Sequence, residues 1–219
     1  MSIAVMLFLA IGLISIVIAQ KNIKYNKNQV MTVEQIKHSL VGQWKSIAPE
    51  IRPSIAKNAD GSMKPFYLTR EFTYLAGDKF QLDVINSADA YGKVPLVKIV
   101  IKGNIVWQGE HPIAEGAQKV KFIADEAYEV TPLIQGFADA MNQVAGKGFN
   151  KWEVGGMQSI RGKAFAPFGL SEGQIFAEYD LVYLFNDMLF WGARNVDGRG
   201  FDKEENRPTN LQIPLVRMK

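Results

Sequence analysis

The chain has 219 residues and a formal net charge of +3, with its 25 Lys and Arg spread along the length. That spacing argues against nucleic acid, which asks for a basic stripe. The absence of cysteine excludes disulfides, zinc–thiolate centres and thiol nucleophiles.

Met1 to Gln20 carries no charged side chain, and Ile3 to Ala19 is apolar or small throughout. At about 1.5 Å per helical residue such a run spans most of a hydrocarbon core roughly 30 Å thick. Two readings stand. Val17-Ile18-Ala19 before Gln20 suits a signal-peptide cleavage site, yet no basic residue precedes the run. Lys21, Lys24 and Lys27 follow it instead, which favours a retained single-pass helix with the domain on the cytoplasm-like side. The expected organisation is a hydrophobic segment over 1–20, a linker and short helix over 21–40, and one domain over 41–219.

Thr32-Val33-Glu34-Gln35 reads as a capping box for a helix to about Leu40, burying Ile36 and Leu40. Strand alternation then begins. In 66–74, Phe66, Leu68, Phe72 and Tyr74 share one face and Thr69, Glu71 and Thr73 the other. Arg70 falls on the apolar face. Gly77-Asp78 turns the chain into a strand over 79–85. Val97, Ile99 and Ile101 lead to Gly103-Asn104, read as a tight hairpin turn returning through 105–107. A further strand covers 120–130, with a bulge in its middle.

Thr131 as cap and Pro132 as first helical residue open a helix through Ile134, Phe137, Ala138, Met141 and Val144, closed by Gly146. Strands are expected at 151–154, 174–185, 188–193 and 209–216, with a turn at Asn186-Asp187. The predicted class is mainly β: a curved antiparallel sheet or β-barrel-like domain with one embedded helix, since closure removes exposed edges.

No G-x-S-x-G, Walker loop or dinucleotide fingerprint occurs, and His38 and His111 are the only histidines. Asp125-Glu126, Asp197, and Asp202 with Glu204 and Glu205 have the spacing of solvated loop carboxylates rather than an acid–base pair. The sequence predicts no catalytic residue, no metal and no cofactor. What remains is aromatic and apolar wealth. Trp44, Phe66, Leu68, Phe72, Trp107 and Trp191 are the candidates to line an apolar cavity holding a lipid tail, with core packing as the competing account for each tryptophan, Trp152 included. Arg70 on an apolar face requires a carboxylate, and Glu50 is the candidate. Glu50, Arg52 and Arg70 are either a structural ion pair or a head-group site at the mouth.

Gly42-Gln43-Trp44 resembles the G-x-W of lipocalins, whose Trp packs at the closed end against a late Arg, here Arg194 or Arg217. A longer similarity covers about Val41 to Val216. Trp44-Lys45-Ser46, Glu50-Ile51-Arg52-Pro53 and Tyr67-Leu68-Thr69-Arg70-Glu71-Phe72 resemble the opening of the adenomatosis polyposis coli down-regulated family, membrane-anchored ectodomains that act as Wnt antagonists. Ile99 to Gly103, Tyr179 to Leu184 and Leu211 to Leu215 continue it in order. The resemblance implies a β-barrel-like module with an acyl-accepting cavity, on the exported side. The chain departs from the family in lacking its cysteines, with Pro49 where the first stands, and in having one module rather than two.

The functional expectation is a non-catalytic, membrane-tethered domain binding lipid or a lipidated or hydrophobic ligand. The alternative is an accessory subunit of a larger membrane complex, whose partners are other membrane-protein subunits.

Overall fold

The computed structural model describes residues 30–219, those at 53–56 by backbone alone. The predicted hydrophobic helix over 1–20 and most of the linker lie outside the described residues. Among the described residues no helix is long and apolar enough to cross a membrane.

Helix α1 (Val33–Leu40) begins as the capping box requires. The Gln35 amide donates to Thr32 Oγ1 at 3.3 Å, and the Thr32 amide donates to Gln35 Oε1 at 2.8 Å. Ile36 and Leu40 are buried on its inner side. Among the described residues ten strands follow in one antiparallel sheet: β1 (Gly42–Ser46), β2 (Glu50–Lys57), β3 (Met63–Leu75), β4 (Lys79–Ser87), β5 (Pro95–Glu110), β6 (Gln118–Pro132), β7 (Gln158–Ser159), β8 (Ala177–Phe185), β9 (Met188–Trp191) and β10 (Leu215–Arg217). Helix α2 (Gln135–Val144) lies between β6 and β7.

Pairing runs β1-β10-β9-β8-β6-β5-β4-β3, and β3 pairs back onto β1. The ladder therefore closes on itself. Strand β3 serves two neighbours along one edge, β1 at Glu71–Tyr74 and β2 at Met63–Leu68. The inward side chains follow the period-2 pattern: β4 buries Phe80, Leu82 and Val84, while β5 buries Val97, Ile99, Ile101 and Ile105.

Several sequence expectations are corrected. Gly103-Asn104 is no turn, and β5 runs straight through it. The register against β6 shifts between Lys102 and Asn104, where Lys102 faces Ala127 and Asn104 faces Ile123. Residues 124–126 form the bulge expected in β6, and Gly103 lets the Ile123 carbonyl and Asp125 approach where a Cβ would collide. Gly at this position answers close backbone contact rather than a turn. The hairpin turns later, over 111–117, which places His111 in a loop.

Helix α2 begins at Gln135 rather than at Pro132, because the chain is still in the β6 ladder there, with Pro132 opposite Val97 and the Leu133 amide donating to Leu96 O at 2.9 Å. Residues 151–154 form a loop instead of a strand. Asn142 on α2 bridges it, donating to Trp152 O at 2.9 Å and accepting from its amide at 2.7 Å. The final strand is Leu215–Arg217 and keeps only Leu215 and Val216 of the expected 209–216, since Pro214 has no amide to extend the ladder. The β8–β9 turn falls where expected, with Asn186 and Asp187 both at positive φ (49° and 59°), as a two-residue hairpin turn demands.

Candidate functional site

The α1 end of the sheet is sealed. Trp44 is fully buried, its indole N–H donates to Leu40 O at 2.7 Å, and the Arg217 guanidinium carbon lies 4.1 Å from its ring centroid. Arg217, not Arg194, is the late arginine. Trp107 belongs to this end as well: it is half-buried, donates to Asp78 Oδ1 at 2.9 Å and lies under the Lys37 ammonium at 5.6 Å. It therefore pins α1 while packing half-buried against the edge of the core.

Five rings fill the middle. Phe72 touches Tyr74, Phe80, Phe122 and Trp191 with centroids 4.4–5.5 Å apart, and Phe122 stacks on Trp191 at 4.7 Å. The Trp191 N–H donates to Tyr74 Oη at 3.1 Å. A space of about 10 Å³ is left beside them, bounded by Phe80, Leu82, Phe122, Phe176, Glu178 and Trp191. That volume holds one water at most, whereas ligand pockets run to roughly 300 Å³ or more. Among the described residues the side chains expected to line an acyl chamber pack into the core instead: Phe72 and Trp191 lie against each other, Leu68 is buried in the same core, and Phe66 packs half-buried on its edge.

At the other end the three candidate charged residues do meet. Arg70 Nε donates to Glu50 Oε1 at 2.8 Å, and both side chains are 4% exposed. Arg52 grips the other oxygen, with Nε at 3.2 Å and Nη2 at 3.1 Å from Oε2. The registers make this possible: Glu50 faces Leu68 and Arg52 faces Phe66 across the β2–β3 pair, so both reach inward beside Arg70. The Arg70 guanidinium also covers Trp191, at 4.5 Å from the ring centroid. Burial pulls its pKa down, against the pull of Glu50.

Sequence reading missed Asp180, Gln212 and Arg207. Asp180 is 1% exposed and accepts from the amides of Leu181 (2.7 Å) and Gly192 (2.9 Å). Burial, with the charge of Glu178 second, pushes its carboxyl up to about 7. The signal was available: Asp180 alternates with buried Val182 and Leu184 along β8. Arg207 donates to the carbonyls of Val120 (2.8 Å) and Asp180 (2.7 Å) from a loop, where no periodicity marks it. The loop carboxylates stay apart from one another. Asp125 binds Asn104, Glu126 pairs with Lys79, and Asp202 holds Asn206. No group of three or more His, Cys, Asp or Glu suited to a metal occurs among the described residues.

Compared with known proteins, the chain matches no family model and no curated sequence.

Proposed function

We propose that this chain is a non-catalytic, membrane-tethered β-barrel-like domain that serves as a structural accessory subunit of a larger membrane assembly. The observation that carries the reading is the filled interior. Five aromatic rings take up the space in which a carrier would hold its cargo, and about 10 Å³ is left beside them. A packed core of this kind gives a rigid body whose useful surfaces lie outside. The tether is the apolar run over 1–20. Extraction of the native full chain in mild detergent, followed by native electrophoresis, tests the proposal. Migration in a reproducible heteromeric complex is the expected result; migration as a monomer would refute it.

A second reading, a binder of lipid or of a lipidated ligand, follows from the resemblance to the adenomatosis polyposis coli down-regulated family. One feature favours it. Pairing of β6 with β8 stops at Ile123 and Ala177, and the gap beyond is covered by residues 133–176. There Phe176 packs on Tyr128 at 5.0 Å and borders the small interior space. Displacing that ring would open the core to a chain-like guest. Lipid extraction and mass spectrometry of the purified chain decide this reading: a stoichiometric lipid supports it, and a lipid-free protein removes it.

A further inference from the structure

Glu50 is a single carboxylate shared by two guanidinium groups, and both of its oxygens are taken. Two guanidinium groups thus share the hydrogen bonds of one carboxylate. The cluster is short of acceptors: Arg70 Nη2 and Gln212 Nε2 are buried donors without a hydrogen-bond partner. The Gln212 orientation is forced, because its carbonyl accepts from Arg52 Nη2 at 3.3 Å and a flipped amide would set two donors face to face. Unpaired donors at buried positions cost free energy that a bound oxyanion recovers.

We propose that Arg52, Arg70 and Gln212 form a binding site for an oxyanion, a carboxylate or a phosphate, at the end of the sheet opposite α1. Asp180 is a second buried carboxylate acting on Arg70, but one of its oxygens is held by the Leu181 and Gly192 amides and no hydrogen bond joins it to Arg70 among the described residues, so the Arg70 Nη2 donor stays unpaired. Gln212 is only partly buried and is where the cluster reaches solvent. The site does not depend on the accessory-subunit proposal, because it asks only what the two unpaired buried donors bind.

Anion titration of the full chain in a neutral maltoside detergent tests the site, read by tryptophan emission, since Arg70 lies against Trp191. Acetate and inorganic phosphate probe free anions; octanoate and octyl phosphate probe tailed ones. The expected result is saturable binding of at least one anion, weakened about tenfold or more by Gln212→Leu and by Arg52→Met. The exposed control Arg199→Gln leaves it unchanged. Tighter binding of the tailed forms assigns the site to a lipid-like acid or phosphate, and equal binding assigns it to a free anion; both support the proposal. Two results overturn it: no saturable response up to ~10 mM of any probe, or a response that Gln212→Leu does not alter. Gln212→Leu carries the test if Arg52→Met fails to fold, because Gln212 lies at the edge of the core.

Discussion

Arg217 closes the molecule over Trp44, with the guanidinium carbon 4.1 Å from the indole centroid and Nη1 donating to Val41 O at 3.0 Å. Its Nη2 donates to Ser39 O, so one side chain ties β10 to β1 and to the C-terminal turn of α1. Arg217→Ala is expected to cost about 2 kcal/mol, from the lost cation–π contact and the carbonyl hydrogen bonds. Arg217→Lys should recover less than half, because an ammonium has no planar fork to reach both carbonyls. Urea unfolding of the three proteins measures the difference.

Gly103 and Gly136 should respond oppositely to alanine. A Cβ at Gly103 meets the Ile123 carbonyl and Asp125, so Gly103→Ala must displace β6 and is expected to cost about 3 kcal/mol. Gly136 lies in α2 with nothing within 4 Å of an added Cβ. Gly136→Ala should stabilise by ~0.5–1 kcal/mol. Thermal midpoints of both variants check the pair, and destabilisation by Gly136→Ala would contradict the helical assignment.

Removing Glu50 should be far worse than removing a surface carboxylate. Glu50→Gln leaves Arg52 and Arg70 facing each other without neutralisation, at an expected cost of ~3–5 kcal/mol. Asp197→Asn, at an exposed pair with Arg199, should change stability by less than about 0.5 kcal/mol. Chemical denaturation at neutral pH separates the two.

Asp180 makes stability fall as pH rises. Its carboxyl is held at about 7 against an ordinary value of 3.8, so folding takes up a proton between those limits. The stability this group contributes is full below about pH 4 and is lost as pH climbs through about 7. Asn in its place keeps an acceptor for the Leu181 and Gly192 amides without the ionisation. Asp180→Asn should therefore gain on the wild type by up to ~4 kcal/mol between pH 4 and pH 8. Paired unfolding curves across that range measure the gain; parallel curves would show that Asp180 ionises normally.

The parts of the fold legible in the sequence were those set by local rules. The Thr32–Gln35 box, the alternation around Phe72 and the Asn186-Asp187 turn each depend on residues within a few positions. Gly103 was misread because a glycine for a turn and a glycine for close approach look alike until the partner strand is known. Pro132 was misread because its place opposite Val97 outweighed its helix-starting preference. The Glu50–Arg70 pair was readable, since an arginine on an apolar face demands a carboxylate. Gln212 was not, because its role depends on a contact 160 positions away. The cavity failed for a volumetric reason: inward aromatics announce a core, but only their packing decides whether room is left.

The way β3 divides its edge between β1 and β2 leaves β2 at the end of the pairing path, with a flank that no other strand among the described residues occupies. A bare flank of that sort invites recruitment of strands from neighbouring molecules and growth into fibrils. Here Pro53 withholds an amide, and the register slips between Pro53 and Lys57. The same segment that brings Glu50 and Arg52 to Arg70 thus carries its own guard against polymerisation. Replacing Pro53 with a β-former such as Val would take part of that guard away.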